Sequence, residues 1–119
     1  MNKVMLTGRL VREIELNTYG KGKNGGTWTA FTIAVNDGKN AEGEAKTQFI
    51  ECKAFNKTAE LLEEFVEKGD LVMVFGKVAN ESWEDDKGDR KYAQRVICDG
   101  IELFPNNRKE EAKDKKFKK

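Results

Sequence analysis

The sequence predicts an all-β domain in which five strands close into a Greek-key barrel, and three observations lead to this prediction. Strand-like runs with period-two alternation recur along the chain, separated by clusters of Gly, Asn and Asp. One segment between the third and fourth runs has helical periodicity instead. The chain has 119 residues, which suits one domain with a single core.

The strands are placed by their alternation. We predict them at Lys3–Leu10 continued by Glu13–Leu16, Trp28–Val35, Thr47–Phe55, Asp70–Glu84 and Lys91–Leu103. The first is expected to bend near Gly8, since a glycine inside a strand marks a bulge or a bend. Residues 19–26, with four glycines, are predicted to form a flexible loop, and residues 36–46 a polar connection.

The helix is predicted within the segment "NKTAELLEEFVEKGD", where apolar residues fall at helical spacing. Asn56 or Thr58 is expected to cap its start, and Gly69 to close its end. Three strands, a helix and two strands is the order of a barrel of the OB type, in which the helix plugs one end. A small sandwich with an incidental helix is the alternative.

Charge is unevenly distributed along the chain. The formal net charge is +1, but Arg108–Lys119 carries seven basic and three acidic residues, so the rest is net negative. We expect residues 1–105 to form the domain and residues 106–119 a disordered basic tail. A polyanion would have to meet basic residues grouped on one face, or be held by something besides charge.

The composition argues against an enzyme, a cofactor and a metal site. The chain has no histidine, the commonest general base and metal ligand, and no carboxylates or cysteines converge in the sequence. Cys52 and Cys98 lie in strand-like runs, which favours buried thiols in a reducing compartment such as the cytoplasm. No run has the length and apolarity of a membrane span, and no secretory signal is visible.

The segment "FIECKAF" is the most informative part of the sequence. Its alternation predicts a core face of Ile50, Cys52 and Ala54 and an outer face of Phe49, Glu51, Lys53 and Phe55. Exposed aromatic rings on a sheet stack on nucleic-acid bases, and lysines beside them bind phosphate. The alternatives are a bulge that turns both phenylalanines into the core, or a subunit interface.

Alternation adds three further candidates. Lys77 falls on the outer face of the fourth strand, and Trp83 lies at its end, where it would contact either a ligand or Tyr92 in an ordinary hairpin cluster. Trp28 has the parity opposite to Phe31 and is a candidate to extend the aromatic platform along the second strand.

Four stretches together carry a family resemblance. "NKVMLTGRLVREIEL", "FTIAVN", "FIECKAFNKTAELLEEFVEKGDLVMVFGKV" and "SWEDDKGDRKY", within about Asn2–Leu103, resemble the bacterial-type single-stranded DNA-binding proteins. The resemblance implies an OB-fold subunit, most often in a homotetramer with a dimer as the alternative. Such an assembly would wrap single-stranded DNA in replication, recombination and repair without sequence preference. The stacking positions of the family match Phe49, Phe55 and Trp83, and its basic positions match Lys3, Arg9, Lys57 and Lys68.

The sequence also departs from the family. Lys39 stands where another tryptophan is common, the residues before Trp83 are not basic, and Glu51 replaces a neutral or basic residue. Weaker or more salt-sensitive binding is therefore a hypothesis. The family's acidic, Phe-terminated tip is missing, so recruitment of replication enzymes by that route is not supported, and a short or phage-encoded form would fit. An RNA-binding or primosome-type accessory protein, or a structural module, remains an alternative function.

Overall fold

The computed structural model describes residues 1–104. Its elements are β1 (Val4–Leu10), β2 (Asn17–Tyr19), a single 3-10 turn (Gly22–Asn24), β3 (Gly26–Lys39), β4 (Ala45–Phe55), α1 (Asn56–Phe65), β5 (Leu71–Glu84) and β6 (Arg90–Leu103). The predicted tail, residues 106–119, lies outside the described residues.

Five of the strands form a closed ring. The pairings run β1–β5–β6–β4–β3 and return from β3 to β1, while the short β2 adds to the open edge of β3. All of these pairs are antiparallel except β4 with β6, which run parallel. The predicted OB-type barrel is confirmed, and the sandwich alternative is wrong, because a sandwich would leave two separate sheets.

The ring closes at the C-terminal end of β1. This strand pairs with β5 from Val4 to Arg9, and it also meets β3 at Arg9 and Leu10. A Cβ atom at Gly8 would lie 2.7 Å from the backbone oxygen of Ala34 in β3. Because that distance is too short for any side chain, the barrel can close here only around a glycine.

The β5–β6 pair contains a bulge. Phe75 lies opposite Gly100 and Gly76 lies opposite Cys98, so Asp99 is an extra residue on β6. A bulge of this kind bends the strand and increases its twist. Beyond the bulge, β5 and β6 remain paired as a long ribbon as far as Glu84 and Arg90. This ribbon extends past Val4, the N-terminal residue of β1, which pairs with Gly76 of β5.

The predicted helix is present, but its predicted caps are wrong. Phe55 occupies the N-cap position without a side-chain hydrogen bond, and Val66 is the C-cap residue, whose N–H donates to the Leu62 carbonyl. Asn56 has a positive φ of 52°, and its side chain bonds Tyr19 and the Thr27 N–H instead of the helix. This amide therefore fastens the start of α1 to β2 and β3.

Two strand boundaries also differ from the prediction. Glu13–Leu16 is not a strand. β1 runs antiparallel to β5, so a continuation of β1 would have to pair with residues before Leu71, where β5 has not yet begun. Ile14 packs against the core, whereas Leu16 is exposed, so only one of the two alternating apolar side chains is explained by burial. The connection predicted at residues 36–46 is mostly strand, with β3 ending at Lys39 and β4 starting at Ala45.

The core fills the barrel interior and the space beneath α1. Its buried apolar residues are Leu10, Phe31, Ile33, Cys52, Ala54, Ala59, Leu62, Val66, Val72, Val74, Val96 and Cys98. Both cysteines are free and buried, as predicted, and the neighbouring Cys98 thiol together with burial raises the pKa of Cys52. Within residues 1–104, no helix combines the length and apolarity needed to cross a membrane.

Candidate nucleic-acid interface

The outer face of β4 carries the residues that the alternation predicts. Cys52 and Ala54 are fully buried, while Phe49 and Phe55 are 64% and 40% exposed. The alternative in which a bulge turns both phenylalanines inward is wrong, since β4 keeps an unbroken register with β3 from Gln48 to Phe55. Two large apolar rings therefore face outward from a closed barrel.

The spacing of the two phenylalanines limits what they can contact together. Phe49 and Phe55 are six residues apart along one strand, which corresponds to about 20 Å at roughly 3.3 Å per residue. Glu51 and Lys53 alternate between them on the same face. The two rings are too far apart to contact one flat ligand together, but they can contact separate groups of an extended ligand.

Trp28 extends this face onto β3. It lies directly opposite Phe55 and is half-buried. The Lys53 ammonium lies 5.5 Å from the centroid of its indole ring, which is the geometry of a cation–π contact. The predicted platform therefore includes Trp28, with Lys53 covering part of the ring.

Trp83 lies near the end of the β5–β6 ribbon and is 42% exposed. It faces Lys91 across the ribbon, whereas the neighbouring pair, Ser82 with Tyr92, points to the opposite face. The hairpin cluster of Trp83 with Tyr92 is therefore wrong. The Arg95 guanidinium carbon lies 5.7 Å from the Trp83 ring centroid instead.

Four charged side chains form a continuous network between the two tryptophans. The Lys53 ammonium donates to Glu81 at 2.9 Å, and Arg95 donates through Nη1 to the second oxygen of the same carboxylate. Arg95 also donates through Nε to Glu51 at 3.1 Å. The order Trp28, Lys53, Glu81, Arg95, Trp83 thus connects side chains of β3, β4, β5 and β6.

The network changes the titration of Glu81 and Arg95. Hydrogen bonds from Arg95 and then Lys53 hold the pKa of Glu81 below its usual range, and the bond to Glu81 raises the pKa of Arg95. Two cations and two carboxylates make the network formally neutral. Positive charge is present at this site, but it is already paired with carboxylate oxygens.

A row of lysines leads away from the network. Ile97 of β6 lies between Lys53 of β4 and Lys77 of β5, and it pairs with both. The two lysines therefore share the outer face and are separated by two strand spacings, about 10 Å. The Asn2 side chain bonds both backbone groups of Val78, which continues the β1–β5 register and places Lys3 opposite Lys77. The structure therefore brings three of the predicted basic residues into one row.

The other predicted basic residues lie around this face. Lys57 is exposed in the first turn of α1, two residues after Phe55. Arg9 pairs with Ala34, which in turn pairs with Phe49, so it shares the outer face, and its guanidinium donates to the Gly69 carbonyl at 3.0 Å. Lys68 is exposed beyond the C-terminal end of α1, and its N–H donates to Glu13 in the segment after β1.

A groove of about 680 Å³ runs beside Phe49. Its walls include Arg12 and Glu13 from the segment after β1, and Glu51 and Arg95 from the network. Ala30 and Thr32 of β3 line it as well. The small residues of β3 leave an open path along the outer face, and the charges that border this path have both signs.

Sequence reasoning missed Arg95, Glu81 and Arg12 as members of this site. Arg95 has the parity opposite to the buried Val96 and Cys98 in β6, so alternation would have placed it on the outer face. Its partners lie 14 and 44 residues away in the chain, and no local pattern predicts such pairs. Among residues 1–104, no group of three or more side chains is arranged to hold a metal ion.

A five-stranded OB barrel with aromatic and basic side chains on one outer face defines the class of single-strand-binding modules. The chain belongs to the Single-strand binding protein family, which it matches over residues 1–104. The family's description is that of a binding protein, in agreement with the non-enzymatic class that the composition predicts.

Named relatives support the same family. The chain is 37% identical to Single-stranded DNA-binding protein 1 of Staphylococcus aureus (strain Mu50 / ATCC 700699), over 96% of this chain and 72% of that protein. It is 34% identical to Single-stranded DNA-binding protein 1 of Lactococcus lactis subsp. lactis (strain IL1403), over 91% of this chain and 71% of that protein. The family resemblance seen in the sequence is therefore confirmed.

Proposed function

We propose that this protein binds single-stranded DNA without sequence preference, by stacking bases on its outer-face aromatic rings. The observation that carries the proposal is the exposure of Phe49 and Phe55 on one face of a closed barrel, with Lys53 between them. Every base has a flat face, so stacking on such rings contributes roughly 1–3 kcal/mol per base with little regard to sequence. Duplex DNA keeps its bases stacked internally and offers mainly phosphates to the same surface.

The proposed contacts divide into two kinds. Phe49, Phe55, Trp83 and Trp28 would stack on bases, and Lys53, Lys3, Arg9, Lys57, Lys68 and Lys77 would contact phosphates. The row of Lys53, Lys77 and Lys3 supports a path for the backbone across β4, β6, β5 and β1. Lys68 has weaker support, because it lies at the far end of α1 from Phe55.

The relatives suggest where this binding is used. Proteins named for single-stranded DNA binding in Staphylococcus aureus and Lactococcus lactis match most of the chain. We infer a role in protecting exposed strands during replication, recombination and repair, in the cytoplasm of a bacterial cell and encoded by the host or by a phage.

The free edge of β1 supports self-association. Between Val4 and Gly8 this strand pairs with β5 on one side, and in the described part of the chain it meets β3 only from Arg9 onward. An edge with unpaired N–H and C=O groups is a template for another strand, and Met5 on it is exposed. We propose a homo-oligomer, with a tetramer favoured over a dimer, which multi-angle light scattering would identify as four times the mass of one chain.

The basic tail at residues 106–119 is proposed to add phosphate contacts. Its seven Lys and Arg residues between 108 and 119 would increase both the affinity and its salt dependence. Deleting Arg108–Lys119 is expected to weaken DNA binding and to flatten the dependence of affinity on salt. Unchanged affinity and an unchanged salt slope would rule the contribution out.

A direct comparison of nucleic acids tests the proposed function. Fluorescence anisotropy with labelled oligothymidine, matched oligouridine and a duplex of equal length is expected to give the tightest binding for oligothymidine and the weakest for the duplex. Tighter binding to oligouridine would favour the RNA-binding alternative. Equal binding to the single strand and the duplex would refute base stacking as the basis of recognition.

A further inference from the structure

Glu81 binds the two cations that form cation–π contacts with the tryptophans. One of its carboxylate oxygens accepts a bond from Lys53 at 2.9 Å, and the other accepts from Arg95. The side chains of Lys53, Arg95 and Glu81 are only 22%, 23% and 28% exposed, so salt screens these bonds less than bonds on an open surface. One acidic side chain thus engages both cations at the centre of the proposed stacking surface.

A carboxylate and a DNA phosphate are the same kind of partner for these cations. Both are oxyanions, and both accept charge-assisted hydrogen bonds from ammonium and guanidinium groups. A phosphate that approaches Lys53 or Arg95 must displace Glu81 or lie beside its negative charge. Either course makes phosphate binding less favourable than binding to free cations.

We propose that Glu81 is an affinity-setting residue that competes with DNA phosphate for Lys53 and Arg95. The inference rests on the proposed function, binding of single-stranded DNA at this face. Glu51 acts in the same way but more weakly, since it bonds Arg95 alone and its side chain is 56% exposed. Because the network is neutral, stacking supplies most of the affinity at the centre of the site, and charge contributes mainly from the surrounding lysines.

This competition sharpens the hypothesis drawn from Glu51 in the sequence. The competition predicts a lower affinity, in line with that hypothesis, but a shallower dependence of affinity on salt, because cations already paired with carboxylates release fewer counterions from DNA. The protein would therefore bind loosely and exchange readily among strands over a wide range of salt.

The test compares Glu81→Gln with a matched control. Glu84→Gln removes the same charge from the same strand, yet Glu84 lies on the opposite face and forms no salt bridge within residues 1–104. Affinity for labelled oligothymidine is measured by anisotropy at four or more NaCl concentrations. Circular dichroism melting verifies that each variant is folded.

We expect Glu81→Gln to tighten binding about tenfold and to steepen the slope of log K against log[salt] by about 0.7 for each additional phosphate that the protein neutralises. Glu84→Gln should change the affinity less than twofold. Glu51→Gln should tighten binding by a smaller factor than Glu81→Gln. Binding by Glu81→Gln that is equal to or weaker than that of the unmodified protein would overturn the proposal, because Glu81 would then be neutral or would hold the cations in their binding positions.

A second background separates local competition from bulk charge. In a Lys53→Gln/Arg95→Gln protein, adding Glu81→Gln should tighten binding by much less than tenfold, since it removes only the repulsion between the carboxylate and phosphate and releases no cation. A full tenfold increase in affinity in that background would refute the competition. If the unmodified protein does not bind oligothymidine at all, the proposed function fails. If it binds but Glu81→Gln does not improve the binding, only the competition fails.

Discussion

The guanidinium of Arg95 lies 5.7 Å from the centroid of the Trp83 ring while it donates hydrogen bonds to both Glu81 and Glu51. A single side chain on β6 therefore joins an exposed ring on β5 to a carboxylate on β4. These contacts position Trp83 relative to the phenylalanines of β4. They also pair the Arg95 guanidinium with two carboxylates.

Replacing the two phenylalanines tests the stacking surface. Phe49→Ala and Phe55→Ala are each expected to weaken binding of oligothymidine by about 1–3 kcal/mol, since each removes one platform for a base. Tyr92→Ala is the matched control, because Tyr92 is 75% exposed but lies on the opposite face of the ribbon from Trp83. Its affinity should be unchanged in an anisotropy titration.

The same variants separate DNA binding from a protein interface. If the phenylalanines contact DNA, both variants should keep the oligomeric mass of the unmodified protein in light scattering. A fall in mass with unchanged DNA affinity would instead assign Phe49 and Phe55 to a subunit interface, and the proposed stacking would be wrong.

The two tryptophans are expected to respond differently to DNA. Trp83 is 42% exposed, whereas Trp28 is half-buried and partly covered by Lys53. Trp28→Phe should therefore retain most of the fluorescence quenching that oligothymidine produces, and Trp83→Phe should lose most of it. The opposite ranking would show that DNA approaches the β3 side of the platform first.

Acid should remove the contribution of Glu81 to stability. Its pKa is lowered in the folded protein by bonds from Arg95 and Lys53, so the carboxylate stabilises the fold fully above the ordinary glutamate pKa of about 4.3. That contribution is lost as the pH falls through the lower folded pKa. The difference in unfolding free energy between the unmodified protein and Glu81→Gln should be largest at neutral pH and shrink in acid.

Urea titrations at several pH values between 7 and 3 measure this difference. Glu84→Gln serves as the control, and its difference from the unmodified protein should vary less with pH. A Glu81→Gln difference that stays constant down to pH 3 would show that the network does not stabilise the fold.

Thr29 offers a test of the core. It is fully buried on β3, and its hydroxyl has no hydrogen-bond partner among the described residues. Thr29→Val should raise the unfolding free energy by about 1 kcal/mol, because it removes an unsatisfied buried polar atom without leaving a large cavity. Thr32→Val, at a half-buried position on the outer face, should change it by less than about 0.5 kcal/mol. Destabilisation by Thr29→Val would mean that the hydroxyl has a partner in solution.

Much of the fold could be predicted from local pattern. The alternation of "FIECKAF" assigns each side chain to a face because neighbouring residues in a strand point to opposite sides, and Cys52 and Phe49 lie where it places them. The helix between the third and fourth strands also follows from spacing alone. Its caps could not be predicted, because Asn56 bonds Tyr19, 37 residues earlier in the chain, instead of the helix.

The charge network could not be predicted for the same physical reason. The presence of Glu51 on the outer face cannot be explained from β4 alone, because its partner Arg95 lies 44 residues away on β6, the strand that runs parallel to β4. A parallel pairing of this kind is defined only when the barrel closes. The residue that seemed least suited to DNA binding is therefore part of the arrangement that sets the charge of the site.

The most direct test of the central claim is the quenching of tryptophan fluorescence by oligothymidine, with a duplex of equal length as control. If bases stack on the outer-face rings, the single strand should quench strongly and saturably, and the duplex should quench little at the same phosphate concentration. Equal quenching by the two would contradict base stacking as the source of recognition.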